Sequence, residues 1–196
     1  ERKVTRKATK YEVVAEDSNL VLKAESDNSA SGLWRMLEIR PGRRGKISWH
    51  WKVSHNLSKK TPEKTKLGDD YAARLFVVFG PHFLSWKTRA LCYVWAAQEP
   101  VGSTYRSPYA QSVGMVVVRS GGKNKGKWMK EERNIIADYE QTFGKAPEMI
   151  IAVAIMTDTD NTGQIATAYF DDIILSVSTP EREATQTVKS KTKFDF

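Results

Sequence analysis

The chain has 196 residues, 31 Lys and Arg against 23 Asp and Glu, a formal charge of +8 and a pI near 9.5. That length fits one domain with a substantial core, and 40% hydrophobic and 10% aromatic residues exclude a disordered chain. No apolar run nears the roughly 20 residues of a membrane helix, and the single cysteine, Cys92, excludes an internal disulfide or a cysteine-built metal cage.

Residues 1–10 hold five basic side chains and one acid, and they read as a flexible basic tail. The chain starts at Glu1 with no charged-then-apolar leader pattern, so the expectation is a processed or truncated form. Short runs rich in Val, Ile and aromatics, separated by Gly, Pro, Asn and Ser, then predict nine strands. They are Tyr11–Val14, Leu20–Ala24, Gly32–Ile39, Lys46–Val53, Tyr71–Phe79, Leu91–Ala96, Gly114–Arg119, Met149–Thr157 and Thr167–Ser176. In the fourth, alternation puts Ile47, Trp49, Trp51 and Val53 on a core face and Ser48, His50 and Lys52 on the other. Leu75, Val77 and Phe79 read as buried, with Arg74 and Phe76 opposite. In the sixth strand either Cys92, Val94 and Ala96 or Leu91, Tyr93 and Trp95 could face the interior.

Residues 54–68 read as a long polar loop and 120–127 as a solvated turn. One helix is expected at Ile135–Phe143, with Asn134 as its N-cap, Ile136, Tyr139 and Phe143 on one face, and Gly144 then Pro147 ending it. Residues 181–196 read as a second flexible tail. The fold expected over 11–180 is a single antiparallel β-sandwich, jelly-roll-like, with one short α-helix near 135–143.

Six of the eight excess positive charges lie in residues 1–10 and 187–196, so the body is nearly neutral. That weakens a nucleic-acid reading and leaves anionic-surface binding to the tails. Within the body, residues 40–66 carry nine basic side chains and one acid, whereas 146–186 carry seven acids and one Arg. The first run is either a solvated loop face or a local anion-attracting patch.

Long stretches carry a resemblance: SWHWKV, GDDYAARLFVVFG, ALCYVWA, PVGS, MVVVRSG, EERNIIADYEQTFG and AIMTDTDNTGQIATAYFDDI. In this order, from about Tyr11 to Ser176, the chain resembles the bacterial domain of unknown function 3047 family. The resemblance implies a bacterial protein, exported or periplasmic as members often are, and no established reaction. The ending AYFDDIIL is also similar to the last strand of jelly-roll carbohydrate-binding modules, over a much shorter span.

Three constellations could carry chemistry. If the central strands are neighbours in one sheet, His50, Lys52, Arg74, Tyr93, Trp95 and Arg119 share an exposed basic-aromatic face. Aromatic rings stack on the apolar C–H faces of sugars and arginines grip carboxylates, so this face suits an acidic glycan. The alternative is that Tyr93 and Trp95 are core and the arginines pair with acids. Gly68-Asp69-Asp70-Tyr71 with Arg74 could cap a turn, pair with the arginine or bind a hard cation. Asp158, Asp160 and Asn161 offer oxygens to a calcium ion, or form a tight turn closed by Gly163. Asp171 and Asp172 could complete a different structural cation site with Glu12 or Glu25.

The histidines His50, His55 and His82 are too dispersed for a metal triad, and no nucleophile elbow or phosphate loop appears. Cys92, in an apolar strand, reads as an inert thiol. The expectation is therefore a carbohydrate-binding module for an anionic glycan. A uronate lyase using Tyr93 or His50 with Arg74 or Arg119 is the enzyme alternative.

Overall fold

A computed structural model describes residues 7–58, 60–82 and 85–178, and the backbone of Thr192 and Lys193. The strands are β1 (Lys10–Glu16), β2 (Asn19–Asp27), β3 (Ala30–Ile39), β4 (Gly45–His55), β5 (Ala73–Phe79) and β6 (Arg89–Ala96). After them come β7 (Thr104–Arg106), β8 (Val113–Ser120), β9 (Met129–Asn134), the helix α1 (Ile135–Phe143), β10 (Ile150–Asp158), β11 (Ile165–Val177) and β12 (Thr192–Lys193). They form two sheets packed as a β-sandwich. The first has the order β1-β2-β11-β4-β9, with β12 added beside β11; the second has the order β3-β10-β5-β6-β8-β7. All pairings between these strands are antiparallel except β6 with β8, which run parallel. The parallel pair exists because the 97–112 connection crosses the end of the sheet before β8 begins, with β7 returning along its edge.

Seven of the nine expected strands fall within an observed one and the other two begin one or two residues before β10 and β5, while β7, β9 and β12 are additional. Alternation decides the core: Ile47, Trp49, Trp51 and Val53 are fully buried between the sheets. They meet Leu75, Val77 and Phe79 of β5 and Leu91, Tyr93 and Trp95 of β6. The Trp49 ring lies 5.3 Å from both Trp51 and Tyr93, and Trp51 lies 5.9 Å from Trp95, so aromatic contacts knit the two sheets. The ambiguity in β6 thus resolves with Leu91, Tyr93 and Trp95 inward. Cys92, Val94 and Ala96 are buried too, in a second cluster on the outer face under Tyr71 and Tyr105. A strand covered on both faces has no polar side to betray its orientation.

The helix occupies the predicted span. Asn134 accepts the Ala137 N–H at 3.1 Å, and Gly144, at φ 72°, donates to the Glu140 carbonyl at 2.8 Å. Its buried Ile135, Ile136 and Tyr139 close the rim of the core, with Tyr139 4.5 Å from Phe79.

Two loop expectations change. The segment expected as a tail over 1–10 is structured from Lys7, which bridges to Ser29; buried Thr9 donates its hydroxyl to the Thr157 carbonyl at 2.8 Å. The polar 54–68 loop is largely exposed, as expected, but one buried side chain pins it. Glu63 is 1% exposed, and its carboxylate accepts the N–H groups of Ala97, Gln98 and Glu99 at 2.7–3.0 Å. The second expected tail, 181–196, lies outside the described residues apart from the backbone of β12. Among the described residues no helix is long and apolar enough to cross a membrane.

Candidate functional site

The outer face of the second sheet is apolar for most of its width. Register aligns Trp34, Ala154, Phe76, Cys92 and Met115 in one row, and Gly32, Met156, Arg74 and Val94 in the next. Over β6 and β8 this face is roofed by Tyr71, Tyr105 and the segments that carry them. Among the described residues it is open along β3 and at Ala154, Phe76 and Met156, whereas Ala152 and Val78, in the row of Met36, are buried in a third cluster with Ala90 and Ile151. Trp34 is 62% exposed and Met36 58%, with Phe76, Ala154 and Met156 half-buried beside them. Rows two residues apart lie about 7 Å apart on a strand. The open strip therefore runs from Trp34 past Met156 and Arg74 to Asp158.

There the strip ends in a cavity of about 160 Å³ lined by Ala30, Asp69, Arg74, Tyr109, Met156, Asp158, Asp160 and Asn161. Arg74 is 5% exposed and its Nε donates to Asp158 Oδ1 at 2.7 Å, while Nη2 reaches Asp158 Oδ2 and the Asp69 carbonyl. Asp158 Oδ1 also accepts the Tyr71 N–H at 3.2 Å. Burial pushes the Asp158 carboxyl up to about 6, with the Arg74 guanidinium holding it down against that trend. On the turn after β10, the Asn161 and Thr162 N–H groups donate to the two oxygens of Asp70 at 3.2 and 2.7 Å. The Tyr109 hydroxyl sits 2.9 Å from Asn161 Oδ1 and 3.1 Å from the Lys66 carbonyl. Three chain segments thus meet at this corner.

The six residues expected on one basic-aromatic face occupy four separate places. Arg74 lies in this groove. Tyr93 and Trp95 are in the core: the Tyr93 hydroxyl donates to Asp138 at 2.8 Å and Trp95 Nε1 to the Gly121 carbonyl at 3.1 Å. Burial, with Asp138 adding to it, holds the Tyr93 hydroxyl well above its ordinary range, which removes it as a base. His50 and Lys52 belong to the other sheet's outer face. There Lys52 pairs with Glu16 and lies over the rings of Tyr169 (4.2 Å) and Trp128 (5.2 Å). His50 Nδ1 faces Asp172 at 3.4 Å. Arg119 points inward at the rim, where its Nε pairs with Glu131 at 2.5 Å. The shared face fails because β4 and β5, neighbours in sequence, join different sheets, and because β6 turns its aromatics inward. The lyase set is dispersed with it.

Asp158 and Asp160 do come together, and Asp70 joins them, with one oxygen of each within 4.8 Å of the others. The oxygens of Asp158 and Asp70 also accept Arg74 and backbone N–H groups, which tie this acidic cluster into the turn. Asp171 and Asp172 lie at a bulge in β11, where Asp172 has φ 48°. Asp171 accepts the Asn19 amide, while Glu12 and Glu25 pair with Lys10 and Lys23, so these four acids are engaged separately.

Trp34, Met36 and Tyr109 were not singled out from the sequence. The signal was present: in Gly32–Ile39, Leu33, Leu37 and Ile39 pack on the core while Trp34 and Met36 make the opposite face apolar as well.

Fold and groove together define a two-sheet β-sandwich with an aromatic strip leading into a polar corner. The chain belongs to the family described as protein of unknown function DUF3047, whose profile matches residues 1–174. A search of curated proteins finds no match to the chain.

Proposed function

We propose that the protein binds carbohydrate in the groove on the outer face of the β3-β10-β5 half of its second sheet. The observation that carries this is Trp34: a ring 62% exposed on a regular strand, aligned with Ala154 and Phe76 and leading to a cavity with hydroxyl, amide and carboxylate groups. Beside Met36, Phe76 and Met156 so large an exposed ring makes a contiguous apolar patch, which a binding role explains. A pyranose presents one apolar C–H face and a rim of hydroxyls. A flat indole receives the C–H face of one unit, and Tyr109, Asn161 and Asp160 are the kinds of group that orient the hydroxyls of another.

Charge bears on the type of sugar. Asp69, Asp70, Asp158 and Asp160 surround one guanidinium that is already paired, and Lys66 is a nearby cation among the described residues, placed over Tyr109 at 5.7 Å. Such a corner repels a uronate. The reading is therefore a neutral glycan, in place of the acidic one that the dispersed six-residue set suggested.

The test is calorimetric titration with neutral oligosaccharides of the β-1,4-glucose, mannose, xylose and N-acetylglucosamine series, beside polygalacturonate fragments. The expected result is binding in at least one neutral series, lost in Trp34→Ala at unchanged melting temperature. Binding to the uronates alone, or binding that Trp34→Ala leaves intact, would overturn the reading.

A further inference from the structure

The two ends of the groove differ, and this has a consequence for the ligand. At the Met36 end the strip is open along the edge strand β3, where Trp34 and Met36 are both more than half exposed, while Ala152 and Val78 beside them are buried. At the Asp158 end it is walled. The 159–163 turn is tied down onto Asp70 by two backbone N–H groups, and Asn161 Nδ2 donates to the Asp69 carbonyl at 3.3 Å. The Tyr109 hydroxyl, from the segment after β7, closes the corner against Asn161 and the Lys66 carbonyl. Three segments distant in sequence thus make one wall across the strip.

A polymer lying along the strip cannot continue past that wall. We propose that the groove receives one end of a neutral glycan chain, its terminal residue in the Asp158–Tyr109 cavity and its next residues over Trp34; this rests on the carbohydrate reading above. Four strand residues separate the Asp158 row from the Trp34 row, a distance of about 13 Å. That places the terminal unit in the corner and a later unit, not the adjoining surface of the same ring, on the indole. An internal stretch of chain would meet Trp34 but would have to leave the strip before reaching the polar groups.

The experiment uses the full chain and hexasaccharides of the four neutral series above. Each is offered unmodified, reduced to the alditol at one end, or 4-O-methylated at the other, together with the parent polymer. In the series that binds, one of the two end modifications should lower affinity at least tenfold and the other should be nearly silent. The polymer should titrate at one protein per chain end. Tyr109→Ala opens the wall at an exposed position and removes one hydroxyl from the site, so whatever overall affinity it costs, it should narrow the tenfold gap between the blocked and the unmodified hexasaccharide. Equal affinity for all three forms with many proteins bound per polymer chain overturns end recognition while leaving the carbohydrate reading in place. A gap that Tyr109→Ala leaves unchanged also counts against the wall. Absence of binding in every series overturns both readings together.

Discussion

Replacing Arg74 with methionine tests the electrostatics at the corner of the groove. The side chain is 5% exposed, its guanidinium donates to Asp158 and Asp69, and Asp158 is 3% exposed. Methionine keeps the apolar stem and removes the charge, leaving carboxylates buried without their partner. Breaking a buried pair from one side costs about 3–5 kcal/mol, and that is the loss expected at pH 8. The loss should depend on pH. Asp158 is already pushed up to about 6 in the folded protein, against 3.8 for the ordinary group. Its folded form therefore holds its proton more tightly than the unfolded chain does. The associated stability is complete below about 4 and lost as the pH rises through about 6. Without Arg74 the folded value rises further, by about two units if 3 kcal/mol of attraction is removed. At pH 5 both proteins then carry a neutral Asp158, and the deficit should shrink to about 1–2 kcal/mol. Urea unfolding followed by tryptophan fluorescence at pH 5 and pH 8 measures this directly. An equal deficit at both pH values, or one below about 1 kcal/mol, would refute the account of Arg74 as the counter-charge of a buried carboxylate.

Other substitutions separate groove from scaffold. Trp34→Ala should cost under about 1 kcal/mol because the ring is largely exposed, yet it should abolish glycan binding in calorimetry. His50→Ala and Arg119→Ala lie outside the groove and should leave any glycan affinity within twofold. Glu63→Ala removes the acceptor of three backbone N–H groups and should cost about 2–4 kcal/mol in denaturant unfolding. Cys92 is fully buried, and burial pushes its thiol up to about 12. It should resist a thiol-specific reagent at pH 8 in the native protein and react at one equivalent in concentrated urea.

Local patterns were legible in the sequence where one face of an element is polar. Ile47, Trp49, Trp51 and Val53 alternate with Ser48, His50 and Lys52, so β4 declares its orientation. Asn134 and Gly144 bound the helix because capping chemistry is local. The strand β9 was hidden for the opposite reason. Of its core-side positions only Met129 is apolar; Glu131 and Arg133 serve Trp51 Nε1, Arg119 and Asp138, so no apolar alternation marks it. β6 was ambiguous because both its faces are buried.

The candidate site was less legible because sheet membership is a long-range property. Nothing near Lys52 or Arg74 says that they face away from each other on opposite sides of the sandwich; the pairing of β4 with β11 and of β5 with β10 decides it. Asp70 and Asp158 sit 88 positions apart and meet only when the turn after β10 folds onto the entry to β5. The Arg74–Asp69 pairing, five residues apart, was within reach of sequence reasoning, and the structure contains it. Trp34 was readable as an apolar residue on the wrong face of β3. Only the uncovered half of the sheet shows why that face matters.

The central claim is that glycan binds against Trp34, and nuclear magnetic resonance of the indole N–H groups tests it most directly. The chain has six tryptophans, of which Trp49, Trp51 and Trp95 are buried in the core. Titration with the neutral hexasaccharides should move the Trp34 indole signal, assigned by its absence in Trp34→Phe, and leave the three core signals in place. No movement of that signal across the four series, or movement confined to Trp86 or Trp128, would contradict it.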